Sequence, residues 1–545
     1  MAWYMSLEDS YAAAVDSFDW NLPADYNAAT DLVRKHADTS RTALVEVTPD
    51  GSRSFSFADL DDRSDRVAEG LADRGVERGD RVAVVLSQQA ENPIVHLACW
   101  KLGAISIPLS VLFGPDALEY RLGDSGATVA VVDVDVADTV HDVADRCPDL
   151  EHVFVAPGPG EETAAAETFA DLEAAGGDGF DVAETTPDTP AVVMYTSGST
   201  GPPKGVLHRH ALWAGTCPSF LAANELDVSD AVFYTPADWA WIGALGNVVF
   251  PPWHFGQPVV CHKTDSFDPE RTYRVFEEYD VTNAFVPPTA LRMLRDAEDP
   301  ERFDLSLDVV VAGGEALTPE LREWFADALP SVTVNEIYGQ TEANVFVCTC
   351  HRWFDPKPGS SGRVVPGHEA TILDPETGEE VPDGEVGEIA IAHEGDPLVY
   401  VEYWNAPERT DAARSGRWHR TGDLGYRDED GYYWFKSRKD DVIITSGYRV
   451  GPGEVETTLL QHPAVAQVGV IGVPDDTRNE RIKAFVQTAA DVDGDDELRA
   501  DLEAWVRDRL AEYEYPRDIE FVSEFPQTTS GKLKRKALRE REQNT

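Results

Sequence analysis

The sequence has few cysteines and lacks long hydrophobic runs. Its 545 residues include 6 cysteines, too few for the disulfide framework that holds small secreted proteins together. No apolar stretch approaches the roughly 18 residues that cross a bilayer. Residues 1–10 also lack the basic and apolar regions of a signal peptide. We therefore expect a cytoplasmic protein with no membrane span.

Basic residues are scarce as well. Lysine and arginine number 46 against 99 aspartates and glutamates, so the formal net charge is -53 at pH 7. No basic stripe is present to neutralise phosphates, which argues against nucleic-acid binding. The carboxylates are dispersed, whereas an acidic interaction tail or a nucleic-acid mimic would concentrate them in one block. Self-repulsion of this size destabilises a compact protein unless molar salt screens it, so the charge predicts a high-salt cytoplasm.

The composition of the chain is that of a globular protein, and its apolar runs alternate with helix-like segments. Hydrophobic residues make up 42% of it, and its length implies at least two domains. In residues 1–436, β-branched runs alternate with helix-like segments such as residues 92–102, which predicts an α/β domain with several mostly parallel sheets. Residues 156–190, rich in Ala, Gly, Glu and Asp, are predicted to be a surface insertion or connector. The predicted strands are residues 81–86, 104–109, 129–132, 152–155, 191–195, 232–234, 258–260, 283–286 and 308–312.

The pattern of predicted strands and helices changes near residues 437–441. The remainder of the chain contains a compact set of predicted strands at residues 442–444, 468–471 and 482–486. One clear helix accompanies them, because its apolar residues recur every three to four positions. These residues are Leu498, Leu502, Trp505, Val506 and Leu510. Residues 442–545 therefore predict a small α+β domain.

Cys348-Thr-Cys350-His351 superficially suggests a metal site. No second Cys/His pair has zinc-finger spacing, so an edge strand of small hydrophobic residues is the better interpretation.

Two short stretches carry the chemistry. Thr196-Ser-Gly-Ser-Thr-Gly-Pro-Pro-Lys204 is a hydroxyl-rich glycine loop ending in a lysine, and such a loop offers backbone N–H groups, hydroxyls and a cation to a polyphosphate. It is not a Walker A loop, because Gly205 follows the lysine where Ser or Thr is required. Ser530-Gly-Lys532 places a second lysine on a glycine hinge. Together they predict an ATP-consuming ligase.

The loop, with its flanking residues from Tyr195 to Gly205, resembles the signature of the adenylate-forming (ANL) superfamily. Within that superfamily, the chain most resembles AMP-forming medium-chain acyl-CoA synthetases, and the similarity runs from about Asn27 to Arg539. Further motifs appear in the order that the superfamily shows. They are Gly313-Gly-Glu-Ala316, Tyr338-Gly-Gln-Thr-Glu342, Thr421-Gly-Asp423, Arg438 with Asp440-Asp441, Ser446-Gly-Tyr-Arg449 and Ser530-Gly-Lys532.

The resemblance implies a nucleotide site. Adenine would lie beside Gly314 and stack on Tyr338, while Asp423 and Arg438 would reach the ribose. Thr341 would contact phosphate, and Glu342 would hold Mg²⁺. The residues so assigned to ATP or AMP are Thr196, Ser197, Gly198, Ser199, Thr200, Gly201, Lys204, Gly314, Glu315, Ala316, Tyr338, Gly339, Gln340, Asp423 and Arg438.

The resemblance also implies movement and a second substrate. Residues 437–441 would be a hinge with Asp440 as its pivot, although Ser437 stands where the superfamily usually has glycine. The small domain would then be mobile and would bring Lys532 to the carboxylate and the α-phosphate, with Thr341 and Glu342 completing the catalytic group. The residues assigned to CoA are Ser446, Gly447, Tyr448, Arg449 and Arg478.

The implied reaction joins a carboxylic acid to CoA through an acyl-adenylate, with ATP and CoA as co-substrates. Acetate-specific relatives carry a tryptophan where this chain has Gly339, so room for a medium-chain fatty, branched or aromatic acid is predicted, with Trp241 also in the acyl pocket. Trp239 is a neighbouring alternative. Two other functions stay open: an adenylation enzyme that loads a carrier protein, although no carrier segment is fused here, and a non-catalytic adenylate-binding protein.

Overall fold

The computed structural model describes residues 5–543, except 178, 197–201, 265, 298, 316, 446–447, 476–478, 491, 511–513 and 528–532. The chain forms two compact units. The first unit contains residues 1–317, 321–369 and 391–419, and the second contains residues 318–320, 370–390 and 420–545. Residues 437–441 therefore lie inside the second unit. A hinge concerns motion, so the boundary at 437–441 stays a prediction.

The strands are numbered in chain order. They are β1 (Thr42–Thr48), β2 (Gly51–Ser56), β3 (Arg81–Val85), β4 (Ile105–Pro108), β5 (Val129–Asp133), β6 (His152–Ala156), β7 (Pro190–Thr196), β8 (Lys204–Arg209), β9 (Phe233–Tyr234), β10 (Val259–His262), β11 (Asn283–Phe285), β12 (Val309–Gly313), β13 (Thr333–Gln340), β14 (Asn344–Cys348), β15 (Arg363–Val364), β16 (Ala370–Leu373), β17 (Gly387–Ala392), β18 (Glu402–Tyr403), β19 (Arg414–Ser415), β20 (Trp418–Arg427), β21 (Tyr433–Arg438), β22 (Ile443–Thr445), β23 (Tyr448–Val450), β24 (Val465–Asp475), β25 (Asn479–Thr488) and β26 (Asp518–Phe521).

The α-helices are numbered in the same way. They are α1 (Tyr11–Ser17), α2 (Ala28–Leu32), α3 (Phe57–Asp73), α4 (Glu91–Leu102), α5 (Pro115–Ser125), α6 (Ala137–Ala144), α7 (Phe169–Ala175), α8 (Leu212–Ala223), α9 (Ile242–Ala244), α10 (Phe250–His254), α11 (Pro269–Glu278), α12 (Pro288–Ala297), α13 (Pro319–Ala328), α14 (Pro407–Ala412), α15 (Pro452–Leu460), α16 (Asp496–Arg507) and α17 (Arg535–Gln543). A π-helical turn, Leu245–Val249, joins α9 to α10. Among the described residues, no helix is both long and apolar enough to cross a bilayer.

Two large sheets form the first unit. One has the order β15-β14-β13-β12-β11-β9-β10-β1-β2, and the other has the order β18-β8-β7-β4-β3-β5-β6. Their central strands are parallel, and antiparallel pairs occur towards the ends, as at β13–β14 and β7–β8. The central strands are buried on both faces, as valine-rich β3 and β5 illustrate. The α/β prediction is confirmed.

Two predictions need correction: that residues 156–190 are only a surface insertion or connector, and that the strand at Cys348 is an edge strand. The connector at residues 156–190 contains α7, whose Phe169 and Leu172 are buried. A seven-residue helix is too short to show a clear 3.6-residue period, which is why the sequence did not reveal it. β14, which ends at Cys348, is an inner strand, and β15 takes the edge position among the described strands.

The second unit contains a sheet in which β23, β22, β25 and β24 follow one another and β26 also pairs with β25. The helix predicted from Leu498, Leu502 and Val506 is α16, and the last two of these residues are fully buried. They pack with Val455 of α15 and Val470 of β24. A further sheet has the order β16-β17-β20-β19, and β21 also pairs with β20.

Candidate nucleotide site

The hydroxyl-rich loop connects two antiparallel strands. Thr196, the last residue of β7, pairs with Lys204, the first residue of β8. A strand follows the loop here, whereas a helix follows a Walker A loop, so the exclusion of that motif agrees with the fold. Ser197, Gly198, Ser199, Thr200 and Gly201 lie outside the described residues.

The second predicted phosphate contact lies at the tip of a tight hairpin between β13 and β14. Gln340 pairs with Asn344, and the Ala343 N–H donates to the Gln340 carbonyl at 3.1 Å. Thr341 and Glu342 therefore stand at the turn itself, each partly exposed. We call residues 340–342 the hairpin tip.

Neutral hydrogen-bonding groups hold the hairpin tip. His208 Nε2 lies 2.7 Å from the Thr341 carbonyl oxygen, and His419 Nε2 lies 3.0 Å from Gln340 Oε1. Burial lowers the pKa of His208 to about 4 and that of His419 to about 3, so both imidazoles are neutral near pH 7. Because a carbonyl oxygen only accepts, His208 carries its proton on Nε2 and donates it to Thr341.

Tyr403 joins the hairpin tip to the lysine after the loop. Its hydroxyl donates to Glu342 Oε1 at 2.7 Å, and Lys204 Nζ lies 4.8 Å from the centre of its ring. Burial and the neighbouring carboxylate raise the pKa of the Tyr403 phenol far above its ordinary value, so it stays a donor. Lys204 and Glu342, which the sequence predicted to serve the same triphosphate, are thus brought to one side chain.

The residues predicted to border adenine lie after β12 and on β13. Gly314 has φ +88, a left-handed conformation that favours glycine. The Glu315 carboxylate accepts from Thr289 Oγ1 at 2.9 Å and from Arg292 Nη2 at 2.9 Å, so its charge is already paired. The ring of Tyr338 packs against another aromatic ring, that of Phe346, at 5.3 Å. Ala316 lies outside the described residues.

Asp423 and Arg438, both predicted to reach the ribose, lie together in the second unit. They face each other across the β20–β21 pair, and Arg438 Nη1 donates to Asp423 Oδ1 at 2.9 Å. The Asp423 N–H also donates to Thr421 Oγ1 at 3.1 Å. A buried carboxylate oriented by an arginine in this way suits the acceptance of hydrogen bonds from ribose hydroxyls.

The predicted hinge carries ion pairs to earlier and later parts of the second unit. Arg438 Nε lies 3.5 Å from Asp440, and Lys439 Nζ lies 3.1 Å from Glu388. Asp441 pairs with Arg539 at 2.6 Å and with Arg535 at 3.4 Å, both in α17. The pivot role of Asp440 stays a prediction.

Of the residues predicted for catalysis by the small domain and for CoA, only Tyr448 and Arg449 are described. Lys532, Ser446, Gly447 and Arg478 lie outside the described residues. Tyr448 and Arg449 belong to β23, where they pair with Thr445 and Ile444.

The two residues predicted to shape the acyl pocket differ in their surroundings. Trp241 lies 6.2 Å from Phe113, ring centre to ring centre, and is partly exposed, whereas Trp239 is fully buried in the core. A Cβ atom built on Gly339 would overlap the carbonyl oxygen of Asn344, because a β-bulge brings the returning strand onto this glycine. Backbone therefore occupies the side of Gly339 that a larger residue would take, and the prediction that this glycine enlarges the pocket gains no support from the geometry.

Asn344 is a residue that the sequence did not single out. It has φ +24, it is buried, and its Nδ2 donates to the Gly246 carbonyl at 3.2 Å. Gly246 lies in the π-helical turn that begins four residues after Trp241. Asn344 thus links the hairpin that carries Glu342 to the helix that follows Trp241.

The donor set at the hairpin tip fits Mg²⁺. This ion commonly takes one or two carboxylates and completes its shell with phosphate oxygens and water, and Glu342 supplies one partly exposed carboxylate. Elsewhere in the described chain, Asp133, Asp135 and Glu161 lie close enough to share an ion. Lys263 Nζ already lies 2.7 to 2.9 Å from all three, so this cluster is a set of ion pairs.

Two family models match this chain. A family model described as AMP-binding enzyme matches residues 33–404, which is more than half of the chain. The chain belongs to the AMP-binding enzyme family. A second model, AMP-binding enzyme C-terminal domain, matches residues 454–532. The resemblance to the adenylate-forming superfamily is therefore confirmed.

Individual relatives of this AMP-binding enzyme match it over nearly their whole length. It is 34% identical to the acetyl-coenzyme A synthetase of Bacillus subtilis (strain 168), over 98% of this chain and 95% of that protein. It is 34% identical to the mitochondrial acyl-coenzyme A synthetase ACSM4 of Rattus norvegicus, over 97% and 93%. The solved anthranilate CoA ligase AuaEII, in complex with anthranoyl-AMP, superposes with a TM-score of 0.87 at 29% identity, over 96% of this chain and 98% of that chain.

Sequence reasoning missed His208, His419 and Tyr403, which hold the hairpin tip. His208 and Tyr403 lie on β8 and β18, two strands that pair although about 200 residues separate them in the chain. The sequence carries one faint signal, since His208 lies on the strand that begins at Lys204.

Proposed function

We propose that this AMP-binding enzyme is an AMP-forming acid–CoA ligase. It activates a carboxylic acid with ATP, releases pyrophosphate, and passes the acyl group to CoA with release of AMP. The observation that carries the proposal is the meeting of Lys204 and Glu342 at Tyr403. It supplies a cation for the phosphates and a carboxylate for a metal ion at one place, in a chain whose matched relatives include acyl-CoA synthetases.

In the first half-reaction, a carboxylate oxygen attacks the α-phosphorus of ATP, and the bond to the bridging oxygen of pyrophosphate breaks. Lys204 and the Thr341 hydroxyl hold phosphate oxygens, and Asp423 with Arg438 holds the ribose. Mg²⁺ bound at Glu342 would offset negative charge on the triphosphate. Lys532 brings the two anionic reactants together as a point charge, and alignment and charge neutralisation supply the catalysis.

In the second half-reaction, the CoA sulfur attacks the acyl carbonyl, the acyl–phosphate bond breaks, and AMP leaves while the thiol proton passes to solvent. The enzyme forms no covalent intermediate. Residues 442–545 reorient about residues 437–441 between the two steps and withdraw Lys532. Ser446, Gly447, Tyr448, Arg449 and Arg478 then contact CoA.

The acid is a medium-chain fatty, branched or aromatic acid. The partly exposed Trp241 beside Phe113 supports an apolar wall, because each buried methylene of a substrate gains about 0.8 kcal/mol against such a surface. Gly339 does not by itself support a large pocket, since backbone fills its free side.

One experiment tests the reaction. The purified protein is mixed with ATP, Mg²⁺ and a panel of acids from acetate to octanoate, with branched acids and benzoate, in molar KCl with and without CoA. We expect acid-dependent pyrophosphate release, and thioester and AMP when CoA is present. Pyrophosphate release without thioester would instead indicate carrier loading, and no acid-dependent release would indicate an adenylate-binding protein without activity.

The enzyme works in the cytoplasm of a cell with high internal salt. The net charge of -53 supports this, because carboxylates repel one another strongly unless salt screens them. Circular dichroism and activity should both decline as KCl is diluted from molar to about 0.1 M, where the screening length is about 10 Å. Full activity and structure at low salt would contradict the proposal.

A further inference from the structure

Main-chain hydrogen bonds anchor Tyr403. It pairs with Val206 across the β18–β8 pair, its N–H donates to Thr410 Oγ1 at 2.8 Å, and the next residue donates from its N–H to the Gly205 carbonyl at 2.7 Å. Tyr403 is buried, with 5% of the residue exposed. Its backbone and ring are therefore fixed to the strand that begins at Lys204.

Two different parts of this side chain make two different contacts. The hydroxyl donates to Glu342 Oε1, and the ring face receives the Lys204 ammonium group. The same segment also holds the main chain of the glutamate, since the Tyr400 N–H donates to the Glu342 carbonyl at 2.8 Å. With Oε1 engaged, the orientation of the carboxylate is set, and within the described residues Oε2 makes no hydrogen bond.

We propose that Tyr403 is a positioning residue that orients the Glu342 carboxylate for a metal ion and holds Lys204 at a fixed separation from it. The inference rests on the proposed function, since it concerns the same nucleotide site. A group that hydrogen-bonds a metal ligand fixes the geometry of that ligand, and its loss commonly costs 10-fold to 100-fold in metal affinity or activity.

The alternative is that Tyr403 only fills space. Tyr403→Phe separates the two explanations, because it keeps the ring against Lys204 and removes only the hydroxyl. We expect the dissociation constant for ATP with Mg²⁺, measured by calorimetry without acid or CoA in molar KCl, to rise about 10-fold. Binding of ATP with EDTA in place of Mg²⁺ should change less than 2-fold. An unchanged dissociation constant for ATP with Mg²⁺ would overturn the proposal.

A matched control removes a similar hydrogen bond elsewhere in the first unit. The Tyr26 hydroxyl donates to Asp31 Oδ2 at 2.9 Å, and Tyr26 is 4% exposed. Tyr26→Phe should bind ATP with Mg²⁺ as the unaltered enzyme does. An equal loss in this control would show that the effect is general destabilisation and would overturn the proposal.

Two further variants test the route of the effect. Glu342→Gln alone and Glu342→Gln with Tyr403→Phe should have the same affinity for ATP with Mg²⁺, because the hydroxyl acts through the carboxylate; additive losses would contradict this.

If Tyr403→Phe does not fold, Thr410→Val removes the acceptor of the Tyr403 N–H and should weaken binding about 3-fold, and unchanged binding would count against the proposal.

These measurements also separate this inference from the proposed function. Nucleotide binding is measured without acid or CoA, so it can weaken in Tyr403→Phe whether or not the unaltered enzyme makes a thioester. Failure of the acid panel therefore contradicts the ligase function alone, and unaltered nucleotide binding in Tyr403→Phe contradicts the positioning role alone.

Discussion

The hairpin tip at residues 340–342 and the segment at residues 437–441 both contain residues assigned to the nucleotide, but different interactions hold them. Buried neutral donors, such as His208 and Tyr403, fix the tip within the first unit. Ion pairs between a partly exposed cation and a more buried carboxylate hold the segment within the second unit; the side chain of Arg438 is 41% exposed and that of Asp423 is 7% exposed. Hydrogen bonds from buried neutral donors depend little on salt, whereas ion pairs with a partly exposed cation are screened in part.

This difference agrees with the roles proposed for the two regions. A metal ligand must keep one orientation through the reaction, and the tip is built to keep it. A segment that rotates between half-reactions must exchange its partners at small cost, and partly exposed cations such as Arg438 and Lys439 suit this role because water can solvate them when the pairs break.

The largest effect should come from the tip itself. Glu342→Gln keeps the size of the side chain but removes the charge that would bind the metal ion, so the rate of acyl-adenylate formation should fall about 100-fold or more. Thioester formation from acyl-adenylate supplied in advance should be affected less than 3-fold. Pyrophosphate release and thioester formation are measured separately.

The control for this variant is Glu173→Gln. Glu173 pairs with Arg63 at 2.6 Å in the first unit and is not assigned to the site, so its variant should keep the unaltered rates. If Glu342→Gln slowed acyl-adenylate formation and thioester formation equally, the role of the hairpin tip in the first half-reaction would be contradicted.

A change of pH should have an intermediate effect, on the free energy of unfolding. The folded pKa of His208 is lowered to about 4, below the value of about 6.5 in an unfolded chain, so protonation favours the unfolded state as pH falls between these values. Its stabilising contribution is complete above pH 6.5, and about 2 kcal/mol of it is lost by pH 5. His208→Gln keeps a donor for Thr341 but cannot titrate, so its urea unfolding free energy should drop by about 2 kcal/mol less between pH 7 and pH 5.

Other buried histidines titrate in the same direction, and burial lowers the pKa of His96 to about 3. The comparison is therefore made between His208→Gln and the unaltered enzyme over the same pH interval. Identical pH dependence in the two proteins would mean that His208 does not titrate as its burial implies.

The smallest effect should come from a change in the segment at residues 437–441. Asp441→Asn removes the charge that pairs with Arg535 and Arg539, and the free energy of unfolding of the second unit should fall by about 1 kcal/mol in 0.5 M KCl. The loss should shrink further in 3 M KCl, where ions screen within about 3 Å or less. Hydrogen exchange in α17 reports on this region.

Asp508→Asn, at an exposed position after α16, is the matched control and should change stability by less than about 0.5 kcal/mol. A loss for Asp441→Asn that is large and independent of salt would show that the segment is as rigidly held as the hairpin tip.

Much of the fold could be predicted because its strands are locally distinctive. Valine-rich β3 and β5 fall within one residue of their predicted bounds, since a buried parallel strand needs apolar residues on both faces. α7 was missed because seven residues give too little periodicity, and the inner position of β14 depends on a distant partner, Arg363–Val364.

The candidate site divides in the same way. The hydroxyl-rich loop, Lys204, Glu342 and Asp423 could be predicted as site residues because each belongs to a short motif with suitable chemistry. Tyr403 could not be predicted, because Glu402-Tyr403-Trp404 forms no motif that indicates a function. The surroundings of Gly339 also depend on the fold, since the returning strand places the carbonyl of Asn344 beside it, and its role in the acyl pocket stays a prediction.

By itself the sequence determined the fold class, the family and which residues are chemically suited to phosphate, metal and ribose, because composition, periodicity and short motifs are local properties. Only the tertiary structure decided which side chains hold those residues in place. Val206 and Tyr403 become neighbours through strand pairing over long sequence separation, and the pairing sets whether a hydroxyl lies 2.7 Å from a carboxylate or far from it.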